Sequence, residues 1–328
     1  MPSSSLARPD PTSPAFVEHA LLADGSLALH ADAGLWRWVE SWVPRVPPSA
    51  GNGAHAVIRV ERGAPCFEVP NRKPLIELRS VSGWAEPSGR VLLCEPGRRL
   101  SAVVDPPSGR ATVRLAERGE PTPAWHAEVW AALTLAAALL LGRLGRTLVH
   151  AGAVVAPDGR AWLLVGGTFS GKSTTCVNLI RRGWDYLSDD HVVLAAGPSG
   201  VQVEGWPRKF NLDTGYERGS SEGVRRRVDP AAWGPGRWRR AAPLGGLLFP
   251  RVEAPLATAL EPMGEADALV GLLEQSPWLV GDPASAPAVL SLLRHTARAR
   301  RFRLRLGNDC YGDAVQLENI VSSAVAGS

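Results

Sequence analysis

Lysine is almost missing from this chain. Of 36 basic residues only Lys73, Lys172 and Lys209 are lysines, and the rest are arginine. That bias reflects composition rather than function, but it makes any lysine inside a motif informative. Cysteine is sparse as well: Cys66, Cys94, Cys176 and Cys310 form no CxxC pair and lie beside no histidine set. This excludes a disulfide framework and a zinc knuckle, and leaves four free thiols in a reducing compartment as the expectation. The first 14 residues, MPSSSLARPDPTSP, carry no apolar core of the kind a signal peptide needs. The most apolar run, residues 129–142 between Glu128 and Arg143, is short for a bilayer and reads as a buried helix. A soluble, cytoplasmic protein without membrane contact is expected. There is no internal repeat and no aromatic stacking platform, and a net charge of +4 does not call for nucleic acid.

What is present suffices for one large or two ordinary domains: 328 residues, 45% of them hydrophobic. Residues 1–14 read as a flexible tail. Residues 15–121 read as a β-rich N-terminal domain. In it SLALHAD, HAVIRVE, LIELRSV, RVLLCE, LSAVVD and ATVRLAE alternate between turn signals, as in a small antiparallel sheet. LWRWVESWV is the best local helix there, with Trp36, Trp38 and Trp42 as core aromatics. Residues 122–328 alternate between the two periodicities, the mark of an α/β domain. A long apolar helix starts there, with Thr122 as N-cap and Pro123 in its first turn. Two apolar runs then flank Pro157-Asp158-Gly159, a hairpin turn.

The second hairpin strand feeds LLVGGTFSGKSTTC. Gly166, Gly171, Lys172 and Ser173 fit G-x-x-x-x-G-K-[ST] without a gap. The glycines let backbone N–H groups face phosphate oxygens, and the following helix aims its positive end at the same place. Lys172 adds a mobile charge and Ser173 a hydroxyl for Mg²⁺. With so few lysines, chance would produce this pattern in roughly three such chains per thousand.

Asp189-Asp190, in YLSDDHVVL, lies one helix and one turn beyond Lys172, which returns the pair to the mouth of the loop. One carboxylate there can hold Mg²⁺ and the other can take the proton of an incoming hydroxyl. A solvated turn is the alternative. His150, in TLVHAGAVV, sits on the strand paired with the one entering the loop, and is either a core residue or a site residue. Arg208 and Lys209 are candidates for a cation near the transferred phosphoryl group. The arginine runs at 225–227, 237–240 and 298–306 read as solvated faces, with 225–240 also a candidate lid or dock for an acidic peptide.

In this order, between residues 147 and 195, His150, the hairpin, the glycine loop and the acid pair resemble the catalytic domain of HPr kinase/phosphorylase. They more closely resemble its smaller relatives in biosynthetic clusters, some of which phosphorylate a serine of a precursor peptide, as the lasso-peptide kinases do. GKSTT and SDDHVV are also similar to ATP-dependent phosphoenolpyruvate carboxykinase, which shares that fold. The resemblance implies a P-loop domain of the HPr kinase C-terminal type beside a smaller β-rich N-terminal domain. It implies ATP held by Gly166, Gly167, Thr168, Phe169, Ser170, Gly171, Lys172, Ser173 and Thr174, and Mg²⁺ held by Ser173 and Asp189. Asp190 would be the base, interchangeable with Asp189, and His150 would line the site. The expected acceptor is a Ser or Thr hydroxyl of a peptide or small protein. A metabolite or sugar hydroxyl, or a non-catalytic nucleotide-binding role, is the alternative, and self-association is open. HPr kinases usually carry Ser-Gly where this chain has Thr168-Phe169, and an acid where it has Thr174. A bulky residue avoids positive φ, so the loop is expected to take another conformation at Phe169, which would then cover the nucleotide or touch the acceptor. The downstream signature associated with phosphorolysis has no copy here, so neither HPr nor the reverse reaction is implied.

Overall fold

The computed structural model describes residues 16–44, 54–116, 122–198, 200–206, 210–213, 225–228, 237–310 and 313–326. The expected tail at 1–14, Arg208 and Lys209 lie outside them.

The first sheet has eight strands: β1 (Phe16–Ala20), β2 (Leu27–Asp32), β3 (Ala56–Arg62), β4 (Ile76–Leu78), β5 (Val81–Ala85), β6 (Val91–Cys94), β7 (Leu100–Asp105) and β8 (Arg110–Leu115). Their spatial order is β1-β2-β3-β8-β7-β6-β5-β4. The expected strands are present, but the sheet is mixed rather than antiparallel, because β3 runs parallel to both β2 and β8. A parallel pair needs a crossover of a dozen or more residues, and the long connection holding α1 (Trp36–Val39) supplies one between β2 and β3. The single strand expected over LIELRSV instead breaks into β4 and β5 at Arg79, whose φ of +55° makes the turn. The helix expected over LWRWVESWV is cut to the single turn of α1. Trp38 and Trp42 are core residues all the same, and the indole N–H of Trp42 donates to Thr134 Oγ1 at 3.0 Å.

α2 (Pro123–Arg143) starts as expected, with Thr122 Oγ1 accepting from the Trp125 N–H at 3.2 Å. It is the one described helix long and apolar enough to cross a membrane by length and composition, yet most of it, residues 131–142 throughout, is buried by protein. Trp125, Val129, Leu133, Leu140 and the alanines between them share one core with β2, β3, β7 and β8. Leu148 and Val193 of the second sheet join that same core. A helix apolar on every face has to be enclosed in this way.

The second sheet comprises β9 (Arg146–Val149), β10 (Ala151–Val155), β11 (Ala161–Val165), β12 (Asp185–Ser188), β13 (Val192–Gly197), β14 (Gly200–Gly205), β17 (Ala241–Val252), β18 (Ala259–Pro262) and β19 (Arg300–Leu306). β15 (Phe210–Asp213) and β16 (Arg225–Val228) form a separate antiparallel pair. Along β11, Ala161, Leu163 and Val165 face one core while Trp162 and Leu164 face another. The first is closed by α4 (Glu265–Glu274) and α5 (Ala286–Ala297), the second by α3 (Lys172–Arg181) and α6 (Ala314–Ala326). Burial on both faces is why these strands read as unbroken apolar runs. The mixed α/β class expected for the chain is what is found, and the four cysteines are free thiols.

Polar contacts tie the first sheet to the second. The β1–β2 turn carries Asp24, paired with Arg146 of β9, and Arg146 also reaches Glu204 of β14 at 3.8 Å. Burial alone would raise the Asp24 carboxyl, but hydrogen bonds from Arg146 and Ser26 outweigh it and hold it at about 2 instead of 3.8. A carboxyl depressed in the folded state adds stability that is complete above its ordinary value and is lost as pH falls toward the folded one. Arg146→Met is therefore expected to flatten the acid limb of the stability curve between about pH 4 and pH 2, read from urea midpoints. Leu135, fully buried in α2, is expected to cost about 2–5 kcal/mol as Leu135→Ala in the same assay.

Candidate functional site

Strand direction assembles the site. β10 runs antiparallel to β11 on one side and to β12 on the other, with Ala151 opposite Val165 and Ala153 opposite Ser188. The residue before β10 and those after β11 and β12 therefore emerge at one edge. These are His150, the glycine loop 166–171, and Asp189-Asp190. The hairpin expected around Pro157-Asp158-Gly159 fixes this register, with Gly159 at φ +81° and its N–H donating to Ala156 O at 2.9 Å. His150 does not sit inside a strand as expected. It occupies the break between β9 and β10, where its N–H donates to Gln275 O at 2.9 Å.

The loop turns into α3 at Gly171, whose φ is +101°. A Cβ there would come within 2.4 Å of Leu306 Cδ1. No side chain caps α3, so its first N–H groups and its positive end are presented at the loop. Lys172 is buried, and its ammonium donates to the carbonyls of Gly166 at 2.6 Å and Gly167 at 2.8 Å. Burial pulls the Lys172 amine below its ordinary range, and the nearby charges of Asp190 and Asp189 pull the other way. Gly167, Thr168 and Thr174 are exposed, and Ser170 and Ser173 are half-buried.

Phe169 overturns one expectation. It does adopt a left-handed conformation, φ +64°, with its side chain 78% exposed. The left-handed region costs a non-glycine residue about 1–2 kcal/mol. Strain of this kind gathers at functional sites. The loop thus carries a largely exposed aromatic residue.

The acid pair divides as adjacent residues at a strand end must. Asp189 is buried and Asp190 half-buried. Behind them Gly152 permits close packing, since a Cβ there would lie 2.9 Å from Cys176 Sγ and 3.4 Å from the Asp189 carbonyl oxygen. That burial, with the Asp189 charge adding to it, pushes the Cys176 thiol well up, so it is packing material and not a nucleophile. Asp190 is held from two sides. Its Oδ1 lies 3.0 Å from His150 Nδ1 and its Oδ2 lies 3.0 Å from His191 Nδ1. The two imidazoles sit edge to face, 5.5 Å between centroids.

His191 is the residue that the sequence reading passed over. Its signal was adjacency to the acid pair, masked by the apolar residues that follow. The structure brings together His150, the loop, Lys172, Asp189 and Asp190. Oxygen donors from Ser173 and Asp189 are of the type Mg²⁺ takes, and the loop N–H groups with Lys172 are of the type a nucleotide phosphate takes.

No protein-family model matches the sequence, and no curated protein matches it. Among solved structures, the HPr(Ser) kinase/phosphatase from Coxiella burnetii is similar over 54% of this chain and 95% of that one, at 13% identity and a TM-score of 0.32. Likeness at that level is a distant structural relationship.

The loop geometry is directly testable. Gly171→Ala is expected to cost about 1–3 kcal/mol in thermal or urea unfolding, from backbone strain and the clash together. In the Gly171→Ala/Leu306→Ala pair the clash is gone, so the two changes should cost less than the sum of their separate costs.

Proposed function

We propose that this protein is an ATP- and Mg²⁺-dependent kinase that transfers a phosphoryl group to a Ser or Thr hydroxyl of a peptide or small protein. The observation that carries the reading is the convergence, at one sheet edge, of an uncapped helix N-terminus, a buried lysine and two carboxylates of unequal exposure. The loop 166–171, Lys172, Ser173 and Thr174 would hold the nucleotide, and Ser173 with Asp189 would hold Mg²⁺. ATP supplies the γ-phosphoryl group when bound. Asp190, the more exposed acid, accepts the acceptor's hydroxyl proton, and His150 and His191 orient its carboxylate by a contact to each oxygen. Phosphoryl transfer asks little covalent work of a protein, so positioning and charge provide most of the rate.

The acceptor class rests on the resemblance of residues 147–195 to the smaller HPr-kinase-like proteins, not on the site geometry. On this reading residues 122–328 form the catalytic unit, and residues 15–121, which include the eight-stranded sheet, recognise the acceptor. Phe169 would contact that acceptor.

The test uses the full chain with Mg²⁺, γ-labelled ATP and Ser/Thr peptides, read by mass spectrometry. Label on a hydroxyl, falling about 10²–10⁴-fold in Asp190→Asn with ATP binding kept, is the expected result. Label recovered on a small metabolite would replace the peptide acceptor. ATP binding with no transfer to any hydroxyl, identical in wild type and Asp190→Asn, would sink the kinase reading.

A further inference from the structure

We propose that His150, Asp190 and His191 form a binding site for a borderline-soft divalent cation of the Zn²⁺ class, separate from the Mg²⁺ position on Ser173 and Asp189. Among the described residues these three are the one group whose donor atoms converge, all within 4.8 Å of one another. Two imidazole nitrogens and one carboxylate oxygen are poor partners for Mg²⁺, which takes oxygen donors in near-ideal octahedra. They are good partners for Zn²⁺ and its first-row neighbours.

The geometry is close to what such an ion requires. Each imidazole Nδ1 already lies 3.0 Å from a different oxygen of Asp190. Donors around a tetrahedral ion at roughly 2.0–2.2 Å lie about 3.3–3.6 Å apart, so the two contacts of 3.0 Å open slightly and any pair out to 4.8 Å closes by about an ångström. The backbone beside both rings is anchored. The His150 backbone N–H is tied to Gln275 O, and the His191 carbonyl accepts from the Trp206 N–H at 3.3 Å and from the Ser188 hydroxyl. The His191 ring also lies against Trp278, 6.3 Å between centroids. These anchors keep both side chains beside the Asp190 carboxylate. The site is open on one side, since the Asp190, His150 and His191 side chains are 39%, 27% and 13% exposed. That leaves a coordination position for water or a donor from another molecule.

The cation takes the carboxylate that the kinase reading assigns as base. On that reading, and only on it, occupancy inhibits phosphoryl transfer by occupying the Asp190 lone pair that would receive the hydroxyl proton. The metal site itself does not depend on ATP.

The experiment is therefore run without nucleotide. The full chain is dialysed against Zn²⁺ in the presence of excess Mg²⁺, and retained zinc is measured by mass spectrometry. The expected result is one Zn²⁺ per chain. His191→Gln and His150→Gln each weaken it by at least ~10-fold, and His295→Gln, an exposed histidine outside the site, leaves it unchanged. Equal retention in His191→Gln and wild type overturns the proposal, as does no retention in wild type. X-ray absorption at the zinc edge of the wild-type protein guards against a misfolded variant. Two imidazoles and an oxygen are expected, and a shell containing sulfur or no imidazole overturns the site. Zinc retention without any kinase activity would leave the site standing and remove the kinase reading, while activity without retention would do the reverse.

Discussion

Enclosure of α2 is the constraint on which the rest of the structure depends. From Ala131 to Gly142 every residue is buried, so protein has to cover that length of the helix all round. The eight-stranded sheet covers one side, and β9, β13 and the segment around Trp278 contribute to the same core. Polar groups then lock the arrangement at both levels. Trp42 spans from Thr134 of α2 to Trp206, whose indole N–H donates to the Trp42 carbonyl at 3.1 Å. Arg143 closes the C-terminal turn on Asp282 through bonds of 2.7 and 3.1 Å. The Trp278 N–H donates to Leu148 O at 2.9 Å. Trp278 and Gln275 are also the supports of His191 and His150, so the helix core and the site share their scaffold.

The site itself follows from strand direction more than from any single bond. Two antiparallel pairings bring three chain reversals to one edge, and each delivers a chemically different group: an imidazole, a glycine loop with its lysine, and a pair of acids. Burial then differentiates them. Lys172 is desolvated and turned onto loop carbonyls, Asp189 is enclosed, and Asp190 faces outward between two histidines. The unequal exposure of two adjacent carboxylates gives them different chemistry without any change of residue type.

Much of this could be read from the residues alone. The loop, α3 and its end near Gly183, the hairpin, and the three C-terminal helices each carry a local signal: a glycine at a required turn, a cap, or a clean period. Contacts between distant parts left no such signal. Nothing local to HAVIRVE tells that β3 lies parallel to both β2 and β8. The role of His191 depends on His150 lying 5.5 Å away across the sheet edge, and sequence proximity to the acids could not show that. Phe169 was misread for a different reason. The expectation rested on intrinsic backbone preference, and the loop and the start of α3 override it at a cost of about 1–2 kcal/mol.

The way β3 pairs has a consequence for how the chain acquires its structure. Strands β5 to β8 form a meander whose pairings are all between sequence neighbours, so its loops close at little entropic cost. β3 has to wait for β8, its partner across that whole meander, and the local β1–β2 hairpin joins the sheet only through β3. Early assembly of β5–β8 with late docking of β1–β3 is the order that contact separation favours. Until β3 docks, the free edge of β8 is an unpaired strand beside an incompletely covered apolar helix, a surface exposed to aggregation.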